Sequence, residues 1–252
     1  MIPVWLTSSV TIFLALALVS ELLERWRPAR RVDRLRHLVT DVGSFGFAVV
    51  LNRGIDALFA PVVAAHAPGA VAAALAGLRE LHVGWKILIA VVLADFCLYW
   101  IHRAQHTWNW AWRTHAWHHS VEELWWFSGF RTSFLHSFFY NIPQVAIPVL
   151  LLGLGTFETA ICFAIGMLIQ FWEHVNWRVD LWKLDRVLVT PDYHRVHHAV
   201  LPNPLKNLAP TFSLWDRLFG TWVDPRSVPL DTPLGIGQPI EKREVPRMLA
   251  GV

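Results

Sequence analysis

The sequence predicts an all-α integral-membrane bundle with a histidine-rich helical cap, and three observations lead there. Hydrophobic residues fill 54% of the 252 positions and charged residues only 16%, against about 25% charged in ordinary soluble domains. Several apolar runs approach the length of about 20 residues that a spanning helix needs. Fifteen tryptophans suit a chain that meets the membrane–water interface, where indoles concentrate. The length fits one domain, residues 1–252. A net charge of +3 is too small to indicate nucleic-acid binding.

Residues 2–19 are narrowly long enough to span. No basic residue precedes them, and Glu21, Glu24 and Arg25 come after without a small-residue cleavage pattern, so the run reads as a retained helix rather than a signal peptide. The next segment, 25–37, holds six arginines and one aspartate. Residues 42–65 form a second span if Asn52, Arg53 and Asp56 face the bundle interior. Residues 66–83 connect it to a third span at 84–101. The apolar stretch 138–172 is too long for one crossing; LGLGT at 152–156 splits it, and Pro143 and Pro148 interrupt its first half. That pattern predicts a helical hairpin and brings the expectation to about four spanning helices, the hairpin included.

Arginine placement orients the bundle. The basic 25–37 loop is expected on the cytoplasmic side, and counting crossings puts 102–137 and 173–252 on that same side as a cap. Cys97 and Cys162 are the only cysteines, too few for a disulfide framework or thiolate zinc site. They read as small apolar fillers.

Nine of the thirteen histidines fall into short clusters near span ends. His102 and His106 stand four apart in HRAQH. The pattern H-x-x-H-H occurs twice, as His115, His118, His119 and as His194, His197, His198, and His174 comes after a span in QFWEHVN. Helical spacings of three and four place side chains on one face, so each triplet aims at least two imidazoles at a common point. His37, His66, His82 and His136 are isolated and read as polar tips near the interface. Eight or nine imidazoles exceed the capacity of one ion, so two metal ions are implied. Imidazole suits zinc, copper, iron and nickel alike. The excess of ligands and the lack of thiolates disfavour structural zinc, and two redox-active ions, iron first, fit best.

With these residues in view, the chain resembles the fatty acid hydroxylase/sterol desaturase superfamily of membrane di-iron enzymes. The matching pieces are DFCLYWIHRAQH (95–106), THAWHHS (114–120), QFWEHVN (170–176), TPDYHRVHH (190–198) and NLAPTFSLWDRLFGT (207–221). The resemblance implies iron ligation by His102, His106, His115, His118, His119, His194, His197 and His198, with His174 at a further ligand position. Gln170 stands where some members carry another histidine. Asp95, on the helical face of His102, is a candidate acceptor for a ligand's outer N–H, or else a buried polar anchor; Asp192 is a second such candidate. Asp216 and Asn207 are expected to pin the terminal segment. After the second box, RTSFLH (131–136) replaces the R-x-H-P-L-E of many sterol-type members, so the alkylglycerol monooxygenase-like branch looks nearer. Arg131, His136, Trp125 and Trp126 are candidate substrate contacts, the indoles as tunnel wall or as interface anchors.

The resemblance implies an O2-dependent lipid monooxygenase with two iron ions, acting on a C–H bond of a membrane lipid. The electrons come from outside the chain, from a reductase, ferredoxin, cytochrome or reduced pterin, since GIG (235–237) is too short for a dinucleotide fold. A desaturase using the same site is the alternative. A non-catalytic metal- or haem-binding electron carrier is the alternative of another class.

Overall fold

The computed structural model describes residues 4–65 and 76–252. Residues 2 and 3 of the expected first span, and residues 66–75 with His66, lie outside the described residues. Among those described there is no strand, only isolated bridges pairing Pro28 with Trp177 and Ala199 with Leu234.

Helix α1 covers Val4–Trp26 and α2 covers Arg34–Ala65. The second helix starts eight residues earlier than its apolar run suggests. Its basic first turns are neutralised in place: Arg34 meets Glu21 at 2.5 Å and Glu24 at 2.6 Å, and Arg36 meets Glu122 at 3.1 Å. Arg25, Arg34 and Arg36 of the arginine-rich segment thus sit in helix ends, while Arg27, Arg30 and Arg31 lie in the connection between the two helices.

Helix α3, Val83–Thr107, begins where the His82 ring accepts from Gly84 N at 3.2 Å. It stops at Trp108, whose extended backbone makes a one-residue corner into α4, Asn109–His119. That corner folds α4 back so that its histidines face those on the last turns of α3. Ser133 caps α5, Phe134–Val145, by accepting from His136 N at 3.1 Å. Beyond α5, Pro143 and Pro148 loosen the helix into a π-helical turn, Ala146–Leu151. The chain reverses through Gly153, at φ +60°, where glycine alone is unstrained. The Arg79 guanidinium covers the open carbonyls of Leu150 and Leu151. Helix α6, Thr156–His174, completes the hairpin.

Three of these helices are long and apolar enough to cross a membrane, over Arg34–Ile55, Val83–Thr107 and Phe134–Leu151. Helix α3 is central, packing against α4, α5 and α6. Exposed Val10, Leu14, Leu18, Val50, Leu88 and Leu168 give the outside of the bundle the apolar character that lipid contact demands.

The C-terminal region closes over the ends of α3 and α6. Thr190 accepts from Tyr193 N at 3.3 Å, and Pro191 opens α7, Pro191–His198. Helix α8, Leu214–Phe219, carries the fully buried Asp216. Its carboxylate accepts from Leu208 N and Ala209 N, both at 2.7 Å, from Thr221 Oγ1 at 2.5 Å and from the Tyr193 hydroxyl. Asn207, in the left-handed region at φ 52°, donates to the Tyr193 carbonyl at 3.2 Å and accepts from Val223 N at 2.8 Å. Together they pin residues 206–209 beneath α7. Helix α9, Val245–Ala250, packs on α4 and α5.

Each buried donor left without an acceptor costs about 1–3 kcal/mol, and Asp216→Ala orphans four. The variant is expected to lose about 3 kcal/mol or more, read as a lowered denaturation midpoint in detergent. Asp216→Asn keeps an acceptor and should lose less.

Candidate metal centre

All nine clustered histidines meet at one place, and they sort into two groups. His102, His106, His115, His119 and His197 form one; His118, His174, His194 and His198 form the other. Within each group the nearest ring nitrogens all lie within 4.8 Å of one another. Adjacent positions on an α-helix diverge by about 100°, and this splits each H-H doublet. On α4 the i, i+4 pair His115 and His119 enters the first group while His118 enters the second. On α7 the assignment reverses: His194 and His198 enter the second group and His197 the first. Each triplet thus serves both groups. The His119 and His198 rings stack 4.4 Å apart where the groups adjoin.

Four of the outer ring nitrogens are held by the backbone. His102 Nδ1 donates to Leu208 O at 2.6 Å, His118 Nδ1 to Arg131 O at 3.1 Å, His174 Nδ1 to Gln170 O at 2.9 Å and His197 Nδ1 to Lys206 O at 3.1 Å. Each bond fixes the tautomer that leaves Nε2 as the inward lone pair. The inward nitrogens crowd together: His102 and His115 Nε2 are 2.9 Å apart, His174 and His194 3.1 Å, His194 and His198 3.0 Å. The buried Nε2 atoms of His106, His119 and His197 meet no hydrogen-bond partner at all. Orphaned imidazole nitrogens in a buried site are costly unless a cation takes their lone pairs. The donor set therefore fits two ions bound by neutral imidazoles, of a kind that accepts nitrogen ligands. A haem needs an open slot between two facing rings, which neither crowded group provides.

Burial keeps these rings neutral. It holds His118 at about 4, with the Arg131 carbonyl opposing and the Arg131 charge assisting. His115, His119, His194, His197 and His198 lie well below their usual 6.5, through burial first and neighbouring imidazoles second.

The remaining expected site residues fall out unevenly. Asp95 touches no histidine. Its carboxylate accepts from Phe212 N at 3.1 Å and Trp215 Nε1 at 2.8 Å, so it anchors the segment that carries the Leu208 carbonyl; His102 has already taken that carbonyl. Asp192 pairs with Arg195 at 3.4 Å, away from the rings. The Gln170 side chain donates to Gly129 O at 2.5 Å and makes no ligand-like approach. Gly129 is required there, because a Cβ would sit 2.5 Å from the His174 ring. The Trp125 and Trp126 indoles are drawn to Asp41 at 2.8 Å and Glu21 at 3.1 Å and do not line the cavity beside the histidines. Arg131 and His136 do line it. Arg131 pairs with buried Asp41 at 2.5 Å, and the His136 Nδ1 sits 3.0 Å from His115 Nδ1. Of the other isolated histidines, His82 caps α3 and His37 faces Glu123 at 3.5 Å.

Glu173 is a site residue that the sequence pattern leaves unmarked. It is buried, with Oε2 3.5 Å from His194 Nδ1 and Oε1 3.6 Å from His174 Nδ1. It is the one carboxylate among the described residues set against the rings of the second group. Its position beside His174 in QFWEHVN is the available signal, since the residue before a helix-end histidine can fold back over a neighbouring ring.

The cavity, about 480 Å³, runs from His102, His115, His118 and His194 between α2, α3, α5 and α6. A chain-like molecule can therefore reach both histidine groups from bilayer depth.

Residues 87–221 match the model of the family described as fatty acid hydroxylase. The chain is 34% identical to alkylglycerol monooxygenase of Xenopus tropicalis over 165 residues, covering 64% of this chain and 35% of the relative. It is 36% identical to alkylglycerol monooxygenase of Danio rerio over 143 residues, 55% of this chain and 30% of that one. It is 33% identical to ornithine lipid hydroxylase OlsE of Rhizobium tropici over 161 residues, 64% and 48%. The chain thus spans less than half the length of each. No solved structure matches it.

Gly129→Ala should displace His174 and lower the metal content of the purified protein, while Gly129→Ser does no better; full metal retention in both would remove the case for this close approach. In the metal-free protein the unfolded chain takes up protons below about 6.5 and the buried rings do not, so stability falls with falling pH. The melting temperature in detergent should be level above about pH 7 and drop below it, as the unfolding free energy falls by about 1.4 kcal/mol per pH unit for each ring that stays neutral.

Proposed function

Because the chain belongs to the fatty acid hydroxylase family, we propose that it is an O2-dependent membrane lipid hydroxylase with two iron ions. His102, His106, His115, His119 and His197 would hold one ion, and His118, His174, His194 and His198 the other. The observation that carries this reading is the sorting of nine histidines, eight buried and His106 half-buried, into two adjoining groups with lone pairs turned inward. When bound, the iron pair supplies the activation of O2 that lets one oxygen atom enter an unactivated C–H bond. The other oxygen leaves as water, and an external donor supplies two electrons and two protons for it. A reductase, ferredoxin, cytochrome or reduced pterin fits that role.

The protein's own groups do the positioning. Leu208, Arg131, Gln170 and Lys206 carbonyls fix ring tautomers, and Glu173 faces the outer nitrogen of His194. Burial excludes water from the rings, and the cavity presents a lipid chain to both groups. We place the centre at the cytoplasmic interface, the side assigned to the basic α1–α2 connection, with a four-span count that includes α1 and the hairpin.

Purified protein is expected to carry about two irons per chain, without a haem Soret band. In lipid extracts of expressing cells, products one oxygen heavier than a membrane lipid should appear; products two hydrogens lighter would turn the reading to a desaturase. His197→Ala and His198→Ala should each abolish turnover and remove about one iron, with helical content and membrane insertion intact. A single zinc per chain with no O2 consumption, or normal turnover in either variant, would sink the proposal.

A further inference from the structure

Helix α8 lies against the flank of α3 rather than above its end. The Asp95 carboxylate accepts from Phe212 N at 3.1 Å and from Trp215 Nε1 at 2.8 Å. Phe96 meets the Trp215 ring at 5.0 Å, and Trp100 meets the Phe219 ring at 4.9 Å. Arg103 Nη1 donates to the Phe219 carbonyl at 3.1 Å. These four α3 residues all belong to the span Val83–Thr107. Exposed Trp85, near the start of that span, suits the far membrane interface. Asp95 and Arg103 stand about 18 and 30 Å along the helix axis from Val83. Both levels fall in the second half of a hydrocarbon core of about 30 Å, and α8 shares them.

The outer surface of α8 matches that depth. Leu214 and Leu218 are four residues apart and share one helix face, 47% and 68% exposed. Two bared leucines are ordinary on their own. Here, however, the helix that carries them is joined through Phe219 to Trp100, itself exposed on α3. The one exposed charge on α8, Arg217, turns to Trp222, its guanidinium carbon 4.0 Å from the ring centre. A long cationic side chain leaves an apolar face in this way.

The backbone is closed as a bilayer demands. Lipid offers no hydrogen bonds, so irregular chain at membrane depth must be satisfied by protein. The amides of Leu208 and Ala209 go to Asp216, and Phe212 N goes to Asp95. The Thr211 carbonyl accepts from Val189 N at 2.8 Å, and Ser213 Oγ donates to the Asp185 carbonyl at 2.7 Å. After the helix, Thr221 N and Trp222 N both donate to the Asp216 carbonyl, at 2.8 and 3.2 Å. A loop in water leaves such groups to solvent, whereas this one meets them with two buried carboxylates.

We propose that residues 210–219 sit within the bilayer, with the Leu214 and Leu218 face of α8 against acyl chains of the leaflet nearest the histidines. That face offers no polar side chain to a protein partner and lies level with the span, so lipid is its occupant. The carbonyls of Lys206 and Leu208, which hold His197 and His102, are thereby tied to an element seated in the membrane.

The test is depth, read without turnover. In a full-length Cys97→Ala, Cys162→Ala background, Leu214→Cys and Leu218→Cys are each labelled with a small fluorophore and placed in nanodiscs. Leu88→Cys, on the exposed side of α3, is the lipid reference, and Asp231→Cys is the water reference. Labels at 214 and 218 should lose most of their emission to nitroxide-bearing acyl chains and little to iodide, as at 88. Loss to iodide without loss to nitroxide chains, as at 231, overturns the proposal. Shielding from both quenchers overturns it as well, because a second copy or another protein then covers the face. Helical and metal content equal to those of the unlabelled protein verify the fold at each position, and the two leucines report independently. None of these outcomes bears on the hydroxylase reading.

Discussion

An imidazole keeps a lone pair turned inward when its outer nitrogen is held, and main-chain carbonyls do this for His102, His118, His174 and His197. A buried ring nitrogen without a partner is costly, so each carbonyl must be held still. Leu208 and Lys206 belong to a loop pinned by Asp216 and Asn207. The Arg131 carbonyl is set by the buried pair of its own guanidinium with Asp41. The Gln170 carbonyl lies in the last turns of α6, and the side chain of the same residue grips Gly129. The terminal segment around α8 touches no inward nitrogen, yet the orientation of His102 and His197 depends on it.

The doublets bind the two histidine groups into one unit. Because neighbouring helix positions point about 100° apart, His118 and His119 serve different groups, as do His197 and His198. A rigid movement of α4 or α7 therefore disturbs both groups together. The corner at Trp108 and the Thr190 cap fix where those helices begin, and so fix the register on which the arrangement depends.

The centre and the bilayer are continuous. Helices α3 and α5 carry apolar surface outward and line the cavity inward, so the same elements that can cross a membrane form the walls of the cavity that reaches the histidines. Trp125 and Trp126 suit such a wall by size and apolarity. Their N–H groups instead find carboxylates on α1 and α2, a stronger attraction than packing against a chain.

Local pattern was enough for a large part of this. Apolar run length marked the helices, LGLGT and two prolines marked the hairpin, histidine spacing singled out eight of the nine rings that form the two groups, and the family resemblance added His174. These signals are short-range, set by 3.6-residue periodicity and by backbone stiffness at glycine and proline. The tertiary structure alone decided which ring of each doublet joins which group. It alone gave Asp95, open between histidine partner and buried anchor, its bonds to Phe212 and Trp215, brought Glu173 against His194 and set His136 beside His115. Those outcomes turn on contacts between helices far apart in the chain, where the competition among donors for one carbonyl or carboxylate is resolved only after the helices have packed.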